Sequence, residues 1–211
     1  MNINNNILQT IKTNGLSWIE TLLKNIETKT KPGSIAYLLY GEIVSEQSIN
    51  IKLGKFGEYL TREIIQSNNQ LEILKCGIQK LSINNKDVDL IWKNNSNNTI
   101  YYRELKANIN LDTEKLPATI KKCLEIDEHI KTSYPEYSIN SGILNWSIYD
   151  EDITSNYIKK KIASSNLVLD NMQSFLKTVD IEWPKDDYYT YFRAIGDKIK
   201  EHRSTLIINS S

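Results

Sequence analysis

Glu104 and Lys106 stand two residues apart in the run Ile100-Tyr101-Tyr102-Arg103-Glu104-Leu105-Lys106. Fourteen residues separate Asp89 from Glu104, and Asp89 directly precedes the apolar stretch Leu90-Ile91-Trp92. Successive side chains along a strand point to opposite faces, so Glu104 and Lys106 share one. An aspartate on a neighbouring strand then completes a group of two carboxylates and one ammonium. Carboxylate oxygens are hard ligands suited to Mg²⁺, and an adjacent ammonium can orient a water or stabilise developing negative charge. That is the chemistry of phosphodiester hydrolysis. Asp87 is the alternative carboxylate on the first strand, and an offset of two residues puts it on the face of Asp89.

Two strands and a turn must hold this group. Asp87 to Trp92 reads as one strand and Ile100 to Ala107 as the next. Lys93-Asn94-Asn95-Ser96-Asn97-Asn98 between them has turn composition. Leu71 to Leu74 reads as a strand ahead of them, and Ile143 to Tyr149 as a later, buried one. Upstream, Ile49 to Gln66 has helical spacing, with Leu53, Phe56, Leu60 and Ile64 inward and Gly54 and Gly57 permitting close approach. Glu58 lies off that stripe but shares a flank with Ile51 and Ile65, which points it inward. Downstream, Leu111-Asp112-Thr113-Glu114 supplies capping oxygens to a helix with Leu116, Ile120, Cys123 or Leu124, and Ile130 on its apolar face, ended by Tyr134-Pro135. Asn108, Asn110 and Lys115 follow the Glu-x-Lys pair and could touch phosphates or bases; the alternative is that they serve only the loop and the cap.

At the N-terminus Ile3, Ile7 and Ile11, and after Gly15 Ile19, Leu22, Leu23 and Ile26, recur at helical spacing. Lys31-Pro32-Gly33 interrupts, and a further helix begins near Ser34. Asn166 to Val179 and Asp186 to His202 read as helices on either side of Trp183-Pro184. The order is helices, then β-β-β-α-β, then helices: an α/β (α+β) chain with a central mixed sheet flanked by helices. We expect a single domain over 1–211, with a helical N-terminal region (1–48), a core (49–150) and a mainly helical C-terminal region (151–211).

With 40% apolar and 25% charged residues the composition is that of a globular protein, and no run is long enough to span a bilayer. No stretch matches a signal peptide, and two cysteines far apart, Cys76 and Cys123, suit reduced thiols and a cytoplasmic location. Zero formal net charge shows no global basic bias, although an acidic site and basic walls cancel in such a sum. With only His129 and His202 there is no paired-histidine metal site, and no glycine loop for a nucleotide cofactor. His129-Ile130-Lys131 with Glu136 is a chance near miss of a His-x-Lys phosphodiesterase pattern.

The helix Gly54-Lys55-Phe56-Gly57-Glu58-Tyr59-Leu60, the strand Asp87-Val88-Asp89-Leu90-Ile91-Trp92 and Glu104-Leu105-Lys106 resemble the PD-(D/E)xK nuclease superfamily, and within it the Type II restriction endonucleases. The resemblance covers about residues 49–150 and the α-β-β-β-α-β core order. No proline precedes either aspartate, a departure the family tolerates. The resemblance implies a restriction-endonuclease-like core and a Mg²⁺-dependent endonuclease that cuts double-stranded DNA at a short specific site. Asp89, Glu104 and the Leu105 carbonyl would be the ligands, Lys106 would act on the water, and Glu58 would be an additional catalytic carboxylate. The products would carry 5′-phosphate and 3′-hydroxyl. A homodimer would match a palindromic site, with the N-terminal helices or the Tyr188–Phe192 region as its contact. Two other readings stand beside it: a structure-specific repair or recombination nuclease of the same superfamily, and a non-catalytic DNA-binding protein.

Overall fold

The computed structural model describes residues 3–24, 33, 38, 46–81, 85–112 and 114–208. In chain order its elements are α1 (Ile3–Lys24), α2 (Glu46–Gln66), β1 (Leu71–Ile73), β2 (Gly77–Lys80), β3 (Asn85–Val88), β4 (Leu90–Asn94), β5 (Thr99–Lys106), a 3₁₀ turn (Ile109–Asp112), α3 (Leu116–Ser133), β6 (Ser138–Asn145), α4 (Asn156–Ala163), β7 (Val168–Asn171), α5 (Met172–Thr178) and α6 (Lys185–Ile208). They form two compact units, one of residues 1–56 with 183–211 and one of residues 57–182. The division falls within α2.

The first unit is helical. α1 runs unbroken through Gly15 and buries Leu8, Ile11, Ile19 and Leu23. Gly15 does not break it, because the residue is needed for close approach: a Cβ there would lie 2.0 Å from the Tyr191 hydroxyl oxygen of α6. Tyr188 and Tyr191 pack against Trp183 at ring-centroid distances of 5.2 and 5.5 Å, and both are buried. Of the run Tyr188–Phe192, Tyr188 and Tyr191 therefore belong to the interior of this unit, while Tyr189 and Phe192 are half-buried and Thr190 is exposed. The helix expected near Ser34 falls almost wholly outside the described residues.

The second unit is built on a five-stranded mixed sheet in the order β1-β4-β5-β6-β7. β4 is antiparallel to both of its neighbours, β1 and β5, and β6 and β7 run parallel to β5 and to each other. α3 makes the β5-to-β6 crossover and α4 the β6-to-β7 one, as parallel strands require. One face of the sheet presents Ile91, Ile100, Tyr102 and Ile143 to Cys123, Ile126 and Ile130 of α3 and to Ile158 and Ile162 of α4. On the other face Tyr101 stacks on Trp92 at 5.0 Å, and Trp92 meets Phe175 of α5 edge-on at 5.7 Å. A buried ion pair, Arg103 Nε to Asp170 Oδ2 at 2.7 Å, ties β5 to β7.

Several expectations shift. The strand read as Asp87–Trp92 is two strands: β3 pairs with β2 in a separate two-stranded ribbon, β4 enters the main sheet, and Asp89 lies between them in neither. The strand read as Ile143–Tyr149 ends at Asn145, because the carbonyls of Ile148 and Tyr149 accept the first N–H groups of α5, from Met172 and Gln173, at 2.8 and 2.9 Å. Asn166–Val179 is not one helix but β7 followed by α5, whose capping box is Asn171 with Ser174. α3 starts at Leu116 with Lys115 at its N-cap, which makes no side-chain cap hydrogen bond; of the expected capping residues, Thr113 lies outside the described residues. Its buried face uses Cys123, and Leu124 is exposed. In α2 Leu53 is only half-buried, and Gly54 faces open space; Gly57 alone makes a close approach, with the Trp146 indole 2.4 Å from where its Cβ would be. The expected turn is there, ending on Asn98 at φ 51, a left-handed conformation that asparagine tolerates.

Candidate active site

Asp89 sits where the chain changes sheets, and this break creates the site. β4 pairs with β5 from Leu90 opposite Arg103 onward, whereas the residues before Asp89 peel away to pair with β2. The end of β5 is thereby left without a backbone partner from that side. Asp89 fills the gap with its side chain: Oδ2 accepts the Leu105 N–H at 2.9 Å. The freed Asp89 carbonyl is taken by Arg62 Nη2 of α2 at 2.8 Å, and the same nitrogen binds Glu58 Oε2 at 3.1 Å. Both ends of the residue are thus fixed by groups from other elements.

Alternation carries Glu104 and Lys106 onto the α3 side of β5, the face of Tyr102. Glu104 is 5% exposed. Its Oε2 accepts the Tyr102 hydroxyl at 3.0 Å and meets Lys122 Nζ of α3 at 2.5 Å, while Oε1 faces Lys106 Nζ at 3.6 Å. Lys122 Nζ is also 3.5 Å from Asp89 Oδ1. One ammonium therefore bridges the two carboxylates. Beyond them, Asn145 holds the end of β5: with its amide NH₂ turned that way it donates to the carbonyls of Lys106 and Ala107 at 3.2 and 3.1 Å.

The electrostatics follow from burial. Asp89 is pushed up from 3.8 to about 7 by burial first and the Glu104 carboxylate second, against the pull of Lys122 and the Leu105 N–H. Burial opposes the charge on Lys122, but Glu104 and Asp89 more than compensate and its pKa is raised. The Tyr102 hydroxyl is driven well above its usual range by burial, so it serves Glu104 as a neutral donor. Burial pushes the Cys123 thiol to about 12, which leaves it an unreactive core residue.

Of the residues singled out in the sequence, Asp89, Glu104, Leu105 and Lys106 come together. Leu105 turns its N–H towards Asp89, and a strand residue turns its C=O to the same edge. Asp87 is exposed on β3, opposite Ile78, and has no hydrogen bond in common with Asp89. Glu58 is half-buried and reaches Asp89 through Arg62. Asn108 is exposed and accepts the Asn110 N–H at 3.1 Å. The Asn110 side chain donates to the Ile153 carbonyl at 3.0 Å and accepts the Ser155 N–H at 3.2 Å, contacts that serve the loop. Lys115 is exposed at the start of α3.

Sequence reasoning missed Lys122, Arg62 and Tyr102. Arg62 had a signal, lying four residues after Glu58 on one helix. Tyr102 shares the parity of Glu104, but Lys122 resembles any solvated lysine. Among the described residues no group of three or more His, Cys, Asp or Glu side chains is gathered for a metal. The carboxylate pair with a backbone carbonyl is a smaller donor set than that. No family model matches the chain, and no curated protein matches it in sequence. No described helix is long and apolar enough to cross a membrane.

Proposed function

We propose that the chain is a Mg²⁺-dependent endonuclease of the PD-(D/E)xK type that hydrolyses double-stranded DNA at a short specific site as a homodimer, in the manner of Type II restriction enzymes, leaving 5′-phosphate and 3′-hydroxyl ends. One observation carries this reading: Asp89 and Glu104, from a strand junction and the adjacent strand, face the same ammonium, with Lys106 beside them. The order of α2, β1, β4, β5, α3 and β6 supports it; the β2–β3 ribbon is an insertion within that order.

The donor set fits Mg²⁺. Asp89 and Glu104 offer hard oxygens, the Leu105 carbonyl is turned to their side, and a cationic group already occupies the space between the carboxylates. When bound, Mg²⁺ supplies Lewis acidity and a more acidic water. Asp89 and Glu104 would hold the ion, and Tyr102 and the Leu105 N–H keep their oxygens oriented. Lys106, on the strand face of Glu104, orients the attacking water and offsets charge on the phosphate as it becomes five-coordinate. Glu58 acts at one remove, by fixing Arg62 against the Asp89 main chain.

The experiment is cleavage of supercoiled plasmid with Mg²⁺ or EDTA, for wild type, Glu104→Gln and Lys106→Ala. Discrete fragments with Mg²⁺ and a loss of at least about 100-fold in either variant support the proposal. Nicking limited to junctions or flaps would transfer it to a structure-specific nuclease of the superfamily. One feature favours the non-catalytic reading: Lys122 satisfies both carboxylates without any metal, so the cluster is complete as an ion-pair network. No cleavage, with both variants binding DNA like wild type, would establish that reading instead.

A further inference from the structure

Lys122 stands where a cation bound by the carboxylate pair would have to be. Its ammonium lies 2.5 Å from Glu104 Oε2 and 3.5 Å from Asp89 Oδ1, and Glu104 is almost wholly removed from water. Two carboxylates held this close in a partly dehydrated site repel one another, and the ammonium offsets that repulsion. A divalent cation on the same oxygens would put two further positive charges beside it, and the two cations cannot share the pair at such separations. Lysine can give way, since its charge rides on a flexible four-carbon stem. The Lys122 side chain is 22% exposed, so its path away from the carboxylates leads to solvent.

We infer that Lys122 is a built-in competitor of the divalent cation: it holds Asp89 and Glu104 together when the metal is absent and must leave when the metal enters. The inference rests on the reading of the pair as a metal site. It differs from a purely structural role in the sign of its consequence. Removal of a structural lysine loosens metal binding, whereas removal of a competitor tightens it.

The test is calorimetric titration of the full chain with Mg²⁺ alone, for wild type, Glu104→Gln and Lys122→Gln; the last keeps an N–H donor for Glu104 and drops the charge. Lys122→Gln should bind Mg²⁺ at least about tenfold tighter than wild type, a difference of about 1.4 kcal/mol. Its melting temperature in EDTA should be lower, and Mg²⁺ should raise it by more than in wild type. Wild-type binding lost in Glu104→Gln but equal or weaker in Lys122→Gln would overturn the inference and leave the metal site standing. No binding by either wild type or Lys122→Gln would overturn both. If Lys122→Gln does not fold, Lys122→Arg carries the test: a guanidinium bridging both carboxylates is the stronger competitor, so Mg²⁺ should bind more weakly than in wild type, and equal or tighter binding overturns the proposal.

Discussion

Replacing Asp89 by asparagine should make the metal-free protein more stable near and above neutral pH, with an advantage that builds up as pH rises from about 4 to about 7. Asp89 titrates near 7 in the folded chain against an ordinary 3.8, chiefly because it is buried and lies beside Glu104. A folded-state value above the unfolded one means that the folded protein holds an extra proton between the two. Stability therefore falls as pH rises from about 4 to about 7 and is level beyond. Three units of displacement correspond to about 4 kcal/mol as a ceiling, at about 1.36 kcal/mol per unit. Asparagine keeps an acceptor for the Leu105 N–H but gives up the attraction to Lys122, which leaves a net gain of about 1–2 kcal/mol. For a chain of this size that is several degrees, at about 2–4 °C per kcal/mol. Thermal melts in EDTA, followed by circular dichroism from about pH 5 to about pH 8.5, measure it. The melting temperature of the variant relative to wild type should rise from the acid end to about pH 7 and stay level beyond, with the variant the higher there. Saturating Mg²⁺ should reverse the order, since only the wild type retains both carboxylates. A difference that does not change with pH, or a variant less stable at the alkaline end, would refute the account of Asp89.

Three further outcomes test the framework around the site. Gly57→Ala drives a methyl group into the Trp146 indole and should lower stability by about 1–3 kcal/mol in urea titration, whereas Gly54→Ala, facing open space, should not lower it. Arg103→Met strands Asp170 and the Asn140 side chain without their partner and should cost about 3–5 kcal/mol by the same measurement. Asn110→Ala should reduce stability by about 1–2 kcal/mol while leaving DNA affinity in a gel-shift assay unchanged; weaker DNA binding would place that residue at the interface.

The parts of the site that depend on alternation within one element were legible in the sequence. Glu104 and Lys106 lie on one continuous strand, so parity alone placed them on the same face, and the stripe Phe56, Leu60, Ile64 placed α2. What escaped depends on where the chain changes partners. Nothing in Asp87-Val88-Asp89-Leu90 distinguishes a straight strand from one that leaves its ribbon and joins another sheet, because both have the same local pattern. β7 escaped for a similar reason: Val168–Asn171 is a four-residue, half-buried edge with no alternation to read, and Asn166 to Val179 passes for a helix. Trp146, Ile148 and Tyr149 continue the apolar run of β6, yet their side chains are buried after the strand has ended. Lys122 needed the tertiary structure, since only the packing of α3 across β5 brings a lysine from a solvated-looking sequence onto two carboxylates.

The ribbon of β2 and β3 grows out of the main sheet immediately before Asp89, and Asp89 is anchored independently of it, by Leu105 through the carboxylate and by Arg62 through the carbonyl. The candidate site and the ribbon thus meet at a fixed joint. The ribbon is itself tied down, with Val88 buried in the core against α3 and Lys86 paired with Glu125 at 2.6 Å, so only its solvent-facing positions are free to change while the carboxylate stays in place.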